Sequence, residues 1–383
     1  MNITIIGWYG TETIGDRAIL AGLFALLNNK YNNCNFFIGS LYPFFTKRTI
    51  NEDYDLYNCF TNKKLSIQIF NSKKITELND AIKKSDLVIM GGGPLMHIDE
   101  LSIIEYAFKK AKKINKKTVI AGCGIGPIFN KKHQKTLINI INYSNVTILR
   151  DNASKDYLLD IYQKHKKSIN NKLHVSYDLS VKCCFDYLNL KNNNESNSKY
   201  IAVNLREFPK IYLQDQNKSY AINKRLVKFI NNLANKYKDY AIKLIPMHYF
   251  CVGQDDREFL NKIKFNLNKT NVMVQNKNLN LRETLDIYRK ADFTIGMRFH
   301  SVVFQSIVNG NNFILDYTGN EYGKISSFIE DFDNDNFYKD RYINLQGDNL
   351  IEDNFINNHK IKSKIKLDKK GILKKMEIYN KLI

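Results

Sequence analysis

The chain has 383 residues, enough for two domains that each bury a core, and its 44% apolar and 25% charged content describes a soluble globular protein rather than a disordered or fibrous one. No run of about 18 uncharged apolar residues occurs, so no segment reads as a membrane-spanning helix. The net charge of +20 comes with lysines spread along the whole chain and with no arginine-rich, aromatic-interleaved stripe; nucleic acid is therefore set aside as a partner, while weak peripheral attraction to an acidic membrane face stays compatible with the charge.

The first segment, "ITIIG" (3–7), is a β-branched run closed by glycine and reads as a buried strand. The loop "WYGTETIG" leads into a helix at 16–29 whose apolar residues Ile19, Leu20, Leu23, Phe24 and Leu27 recur at helical spacing. Thr13 and Asp16 stand three apart at its start, a capping arrangement. Strands follow at 35–39 and 86–90, the latter closed by Gly91, Gly92 and Gly93. Then come a helix through "ELSIIEYAFKKAKKI", a strand at 118–126, a helix near 132–143, a strand at 146–150 and a helix near 152–162. Such alternation predicts a parallel sheet, because parallel strands need crossovers.

Residues 190–199, "LKNNNESNSK", are polar and aperiodic and read as a linker. Alternation restarts with strands at 200–205, 241–246, 271–275, 292–296 and 312–317, separated by helices near 220–237, 255–266, 280–290 and from Phe299, with another helix near 323–330. The reading is a first α/β domain over 1–189 and a second over 200–331, followed by a tail over 332–383 that ends in a helix near 368–382. Two doubly wound domains facing a cleft would bind ligands beyond the carboxyl ends of their strands. The N-terminus shows no basic n-region or cleavage site, and the six cysteines are scattered without disulfide or zinc spacing, which points to the cytoplasm.

The strand ends carry the polar chemistry. "GTETIGD" feeds a helix N-terminus that suits an anion or a hydroxyl-rich ligand, or is simply a tight capped turn. "MGGGPLMH" permits close approach of backbone to ligand, or a cramped strand-to-helix turn; His97 beyond it reads as a surface or packing residue. "NLRE" sets Arg206 at the end of the second domain's first strand, as a clamp for a small polyanion or as a salt bridge with Glu207 or an acid of the first domain. Arginine is informative here, being only ten of the 58 basic residues. In "GMRFHSVVFQSI", Arg298 and His300 fall at the start of a helix, with Ser301 as a further donor. Fixed charge, dipole and free N–H groups would converge there on one anion, and a histidine beside an anion suits proton transfer; the alternative is a capped helix with a satisfied histidine. No HExxH, CxxC or GxSxG pattern occurs, and no carboxylate cluster has metal spacing, although Asp255 and Asp256 stand adjacent. The expected site is metal-free and takes an anionic ligand.

The order of "GTETIGDRAIL", "SDLVIMGGGPLM", "EYAFKKAKKINKKTVIAGCGIGP", "TILRDNASKDYL", "SYDLSV", "AVNLRE", "DIYRKADFTIGMRFHSVVFQSIVNG" and "FILDY" resembles the polysaccharide pyruvyl transferase family from residue 3 to about 330. The resemblance implies two Rossmann-like domains in a GT-B-like arrangement and transfer of pyruvate from phosphoenolpyruvate, as co-substrate without another cofactor, to a sugar, usually as a ketal. It implies donor binding by Arg206, Arg298 and His300, beside Ser301 as the further donor of the helix start and Lys324 as a candidate, with His300 moving a proton and Arg206 and Arg298 stabilising charge. The acceptor, a sugar that a lipid or nucleotide can carry, would lie near Gly15, Asp16 and Gly91, Gly92 and Gly93. The chain departs from the family at Thr13, where asparagine is common, and in its lysine, which follows Tyr317 by seven residues as Lys324 rather than by three. The rival reading is a GT-B glycosyltransferase using a nucleotide sugar; its E-x7-E pair is not matched by Glu321 and Glu330.

Overall fold

The computed structural model describes the chain except residues 32, 62–63, 170–171, 191–198, 210–211, 213–214, 251–253, 320–322, 348–354 and 357–362. Most of the expected linker at 190–199, and Glu321, lie outside the described residues. The chain divides into two compact units, Met1–Tyr187 with Asp368–Ile383, and Leu188–Leu367.

The first unit alternates β1 (Asn2–Ile6), α1 (Ile14–Lys30), β2 (Asn35–Ser40), α2 (Pro43–Thr61), β3 (Ser66–Asn71), α3 (Ile75–Lys84), β4 (Leu87–Met90), α4 (Leu101–Lys113), β5 (Lys117–Cys123), α5 (Lys131–Tyr143), β6 (Val146–Leu149), α6 (Asn152–Lys164), β7 (Leu173–Val175) and α7 (Leu179–Leu188). Its strands pair in the order β3-β2-β1-β4-β5-β6-β7, every pair parallel. The central strands are buried, β4 throughout as an apolar run and β1 from Ile3 to Ile6, as sheets covered on both faces require. Thr13 caps α1, its hydroxyl accepting from the Asp16 amide, so the helix begins at Ile14, two residues earlier than the sequence suggests.

Between 40 and 85 the sequence yields no element, yet α2, β3 and α3 lie there. The signal is diluted: fewer than half of the residues of α2 are buried, and β3, at the sheet edge, has no buried residue. The stretch after 332 also contributes structure, and α13 (Lys369–Leu382) belongs to the first unit. There the Tyr379 hydroxyl donates to the Tyr177 carbonyl, and Lys30 donates to the Asn380 carbonyl.

The second unit runs β8 (Tyr200–Val203), α8 (Gln216–Lys236), β9 (Ala241–Leu244), α9 (Asp256–Leu267), β10 (Val272–Val274), α10 (Leu281–Lys290), β11 (Phe293–Gly296), α11 (Phe299–Phe304), a π-helical turn at Gln305–Asn309, β12 (Asn312–Asp316), α12 (Lys324–Phe332) and β13 (Tyr342–Asn344). Its sheet is parallel in the order β10-β9-β8-β11-β12-β13. Both sheets reverse direction beside their first strand, between β1 and β4 and between β8 and β11. In a doubly wound sheet the carboxyl ends at that reversal form the ligand crevice, because the two connections depart in opposite directions. Among the described residues, no helix is long and apolar enough to cross a membrane.

Candidate functional site

At the reversal of the first sheet, the loop after β1 and the glycine turn after β4 pack on each other. The Gly91 amide donates to the Ile6 carbonyl at 3.1 Å, the Tyr9 hydroxyl to the Gly91 carbonyl at 2.7 Å, and the Trp8 indole to the Pro94 carbonyl at 2.6 Å. A Cβ on Gly91 would meet Leu23 at 2.5 Å, one on Gly92 would meet the Tyr9 ring at 2.9 Å, and one on Gly93 would meet Trp8 at 2.5 Å. The three glycines therefore admit the protein's own side chains, Leu23 at Gly91 and the aromatic Tyr9 and Trp8 at Gly92 and Gly93, which favours the cramped-turn reading over close approach to a ligand. Gly15 and Asp16 are buried in the first turn of α1, with Thr13 donating to Asp16. Beside them is a pocket of about 20 Å³, lined by Trp8, Thr11, Glu12, Thr13, Asp16 and Arg17 among others, with room for about one water or hydroxyl.

The reversal of the second sheet is cationic. Val203 of β8 pairs with Ile295 of β11, so Arg206 and Arg298 each lie three residues past one rung and leave the sheet side by side. Asn204 fixes that geometry from a fully buried position. Its side-chain oxygen accepts from the Arg298 amide at 2.9 Å and the Ser301 hydroxyl at 2.8 Å, while its amide nitrogen donates to the Ile245 carbonyl at 2.9 Å. Ser301 is thus occupied inside the protein, fully buried, its hydroxyl within 2.7 Å of the Arg298 carbonyl as well. It is not turned toward a ligand, in contrast to its expected role.

Arg298 caps α11 from an extended conformation, and its Nε donates to both oxygens of Asp256 at 2.7 and 3.0 Å. Asp256, only 2% exposed, also accepts from the Met247 and His248 amides at 3.0 and 3.1 Å. Burial opposes the Arg298 charge, but Asp256 outweighs it and raises the guanidinium above its ordinary value. Asp255 caps α9 and pairs with Arg257, so neither of the adjacent acids is left as a cation ligand. Among the described residues no cluster of three or more His, Cys, Asp or Glu side chains has the spacing to hold a metal.

Arg206 differs. Among the described residues no carboxylate lies within ion-pairing distance of it, and its Nε reaches only the Glu207 carbonyl at 3.3 Å, so the salt bridge with Glu207 does not form. Burial first, then neighbouring Arg298, pull its guanidinium below the ordinary value, the signature of a cation short of a counter-charge. Tyr317, at the end of β12, faces the same cluster, with the Arg206 guanidinium 5.4 Å and the Lys324 ammonium 5.3 Å from its ring centroid. Lys324 opens α12, so the helix start brings it to Tyr317 despite the seven-residue separation. Burial raises the Tyr317 hydroxyl, but Lys324, Arg206 and Arg298 together outweigh burial and bring it down to about 8.

His300 lies half-buried in the first turn of α11, its ring 5.1 Å from that of Phe299 and 6.3 Å from that of Phe304. The structure thus gathers Arg206, Arg298 and Lys324 around Tyr317, with His300 two residues beyond Arg298. Sequence reasoning misses Asn204, Asp256 and Tyr317 as site residues. Asn204 has a trace in the sequence, a polar residue ending an apolar strand; Asp256 has none, since its partner is 42 residues away.

Comparisons with known proteins agree with this architecture. No curated protein sequence matches the chain. Among solved structures, Staphylococcus aureus MnaA with UDP is similar at 14% identity and a TM-score of 0.58, over 100% of this chain and 97% of that one. The UDP-GlcNAc 2-epimerase of Methanocaldococcus jannaschii is similar at 13% identity and a TM-score of 0.53, over 99% and 93%. At such identities the likeness establishes the fold alone, two Rossmann-like parallel α/β domains of the GT-B-like class. The sequence model of the polysaccharide pyruvyl transferase family matches residues 14–318, which include Arg206, Arg298, His300 and Tyr317. The chain is therefore a transferase that belongs to the polysaccharide pyruvyl transferase family.

Proposed function

We propose that the pyruvyl donor is phosphoenolpyruvate, bound by the second unit. The acceptor on this reading is a sugar of a cell-surface polysaccharide or its precursor, modified as a ketal across two hydroxyls with release of phosphate. The observation that carries this reading is the juxtaposition of Arg206, Arg298 and Lys324 at the reversal of the second sheet. Phosphoenolpyruvate offers a phosphate and a carboxylate, and a planar guanidinium matches either through two parallel hydrogen bonds.

The chemistry follows from the enol ester. Protonation of the methylene carbon makes a methyl group and leaves C2 cationic, so a sugar hydroxyl adds there and loses its proton. Phosphate then leaves, C2 is again cationic, and the second hydroxyl closes the ketal while its proton ends on phosphate. His300 is assigned the proton transfer to the donor, and Arg206 and Arg298 stabilise the charge on phosphate and carboxylate. Lys324 adds a further cation. Asp16, with Gly15 at the start of α1, is assigned to acceptor hydroxyls in the first unit; Gly91, Gly92 and Gly93 shape that end of the sheet.

Transfer in D2O tests the reading. A ketal product carries one deuteron in its methyl group for each phosphate released, and His300→Gln stops phosphate release while phosphoenolpyruvate still binds. A product that keeps its methylene group would rule out the ketal.

A further inference from the structure

The pocket beside the start of α1 contains a carboxylate oxygen to which the protein itself donates nothing. Glu12 lies in the loop between β1 and α1, at the reversal of the first sheet, and is only 5% exposed. Arg48 of α2 donates to its Oε2, whereas Oε1, also buried, has no hydrogen-bond partner among the described residues. Buried polar atoms are almost always hydrogen-bonded, so Oε1 calls for a donor from outside the chain. Glu12 lines the pocket, whose volume of about 20 Å³ suits one hydroxyl or one water. Asp16 is less suited to the same donor, because the Thr13 hydroxyl already donates to it.

The charges around Glu12 favour a neutral partner. Arg48 bridges Glu12 and Glu52, and Arg17 of α1 pairs with Glu52 at 3.0 Å and Asp53 at 2.5 Å. Two guanidiniums thus face three carboxylates, with Asp16 nearby, and that excess of acid repels an anion such as phosphate. A hydroxyl brings a donor without adding charge. Tyr9 and Tyr57 are the other titratable groups of the lining, and burial raises both, so they stay phenols.

We infer that Glu12 binds an acceptor hydroxyl: one O–H of a pyranose ring enters the pocket and donates to Oε1, which fixes that hydroxyl on the first unit. The inference deepens the assignment of the acceptor to this unit and rests on it. A hydroxyl donates more strongly to a carboxylate than to a carboxylic acid, because the ionic bond is charge-assisted. Burial raises the Glu12 carboxyl to about 7, against the opposing pull of Arg48 and Arg17. A sugar that prefers the carboxylate lowers that midpoint, so its affinity rises as pH rises through it.

The test follows the Glu12 carboxyl by NMR in the whole chain with isotope-labelled glutamates. The probes are methyl β-galactoside and methyl β-glucoside, which differ in the direction of a single hydroxyl. Loss of its signal in Glu12→Gln identifies Glu12. In wild type at least one glycoside should lower the midpoint by about one pH unit at saturation, equivalent to about tenfold tighter binding by the carboxylate than by the acid. Glu12→Gln, which keeps the shape of the protonated side chain, should bind that glycoside as wild type does near pH 5.5 and about tenfold more weakly near pH 8.5. If a glycoside binds wild type and the Glu12 midpoint does not move, the pocket takes water alone and the inference is overturned, while sugar binding by the chain stands. Binding of neither glycoside also overturns it. A lowered midpoint with no phosphate released once phosphoenolpyruvate is added supports the role of Glu12 and counts against the donor assignment. The wild-type titration decides each outcome, so none depends on the folding of the variant.

Discussion

Arg298 and Asp256 form a buried, two-point ion pair between the start of α11 and the first residue of α9, with Arg298 Nε 2.7 and 3.0 Å from the two carboxylate oxygens. The pair fixes the guanidinium at the edge of the cation cluster, and part of its charge is spent inside the protein. Asp256→Ala leaves Arg298 buried without its partner and the Met247 and His248 amides without their acceptor. The expected loss of stability is on the order of 3 to 5 kcal/mol in denaturant unfolding. The double variant Asp256→Ala, Arg298→Met should recover part of that loss, because the orphaned charge is gone. Additive effects in the double variant would mean that the pair does not act as a unit.

Asn204 touches no ligand in this account, yet it ties β8, the end of β9 and the start of α11 together. Asn204→Ala should cost about 1 to 3 kcal/mol for each buried group left unpaired. It should also weaken phosphoenolpyruvate binding by about 10- to 100-fold, because the backbone that carries Arg298 is released. A variant that loses stability but binds the donor as well as wild type would reduce Asn204 to a packing role.

Glu12 predicts a pH dependence of stability. It is 5% exposed, holds a left-handed φ of 62°, pairs with Arg48, and leaves Oε1 without a hydrogen-bond partner. Burial raises its carboxyl from 4.5 to about 7, against the opposing pull of Arg48 and Arg17. The folded state therefore holds the proton more tightly than the unfolded state, and stability falls as pH rises from about 4.5 through about 7. The contribution is on the order of 3 kcal/mol, and Glu12→Gln should remove that slope from a series of unfolding curves. An unchanged slope would place the titration on another group.

The sheet of each unit is legible in the sequence because buried parallel strands are continuous apolar runs, as "DLVIM" and "NFILDY" show. Elements at the sheet edges, β3 and β13, and the half-exposed α2 are not, since partial exposure dilutes the period. In the second unit, arginine in a lysine-rich chain marks the strand ends, and the topology sets Arg206 and Arg298 together at the reversal. What sequence cannot convey is pairing at long range. Asp256 reads as one of two adjacent acids, Ser301 reads as a donor facing a ligand, and only the packed structure assigns one to Arg298 and the other to Asn204.

The central claim is that the cations of the second unit grip the pyruvyl donor, and Arg206, with no carboxylate partner among the described residues, is its most exposed point of failure. The measurement is a calorimetric titration of phosphoenolpyruvate into wild type and Arg206→Ala, with UDP titrated in parallel. Saturable binding to wild type, weakened at least about 30-fold in the variant by the loss of a charge-assisted interaction, is the predicted result. Binding of UDP with no binding of phosphoenolpyruvate would contradict the account and turn the site over to a nucleotide sugar.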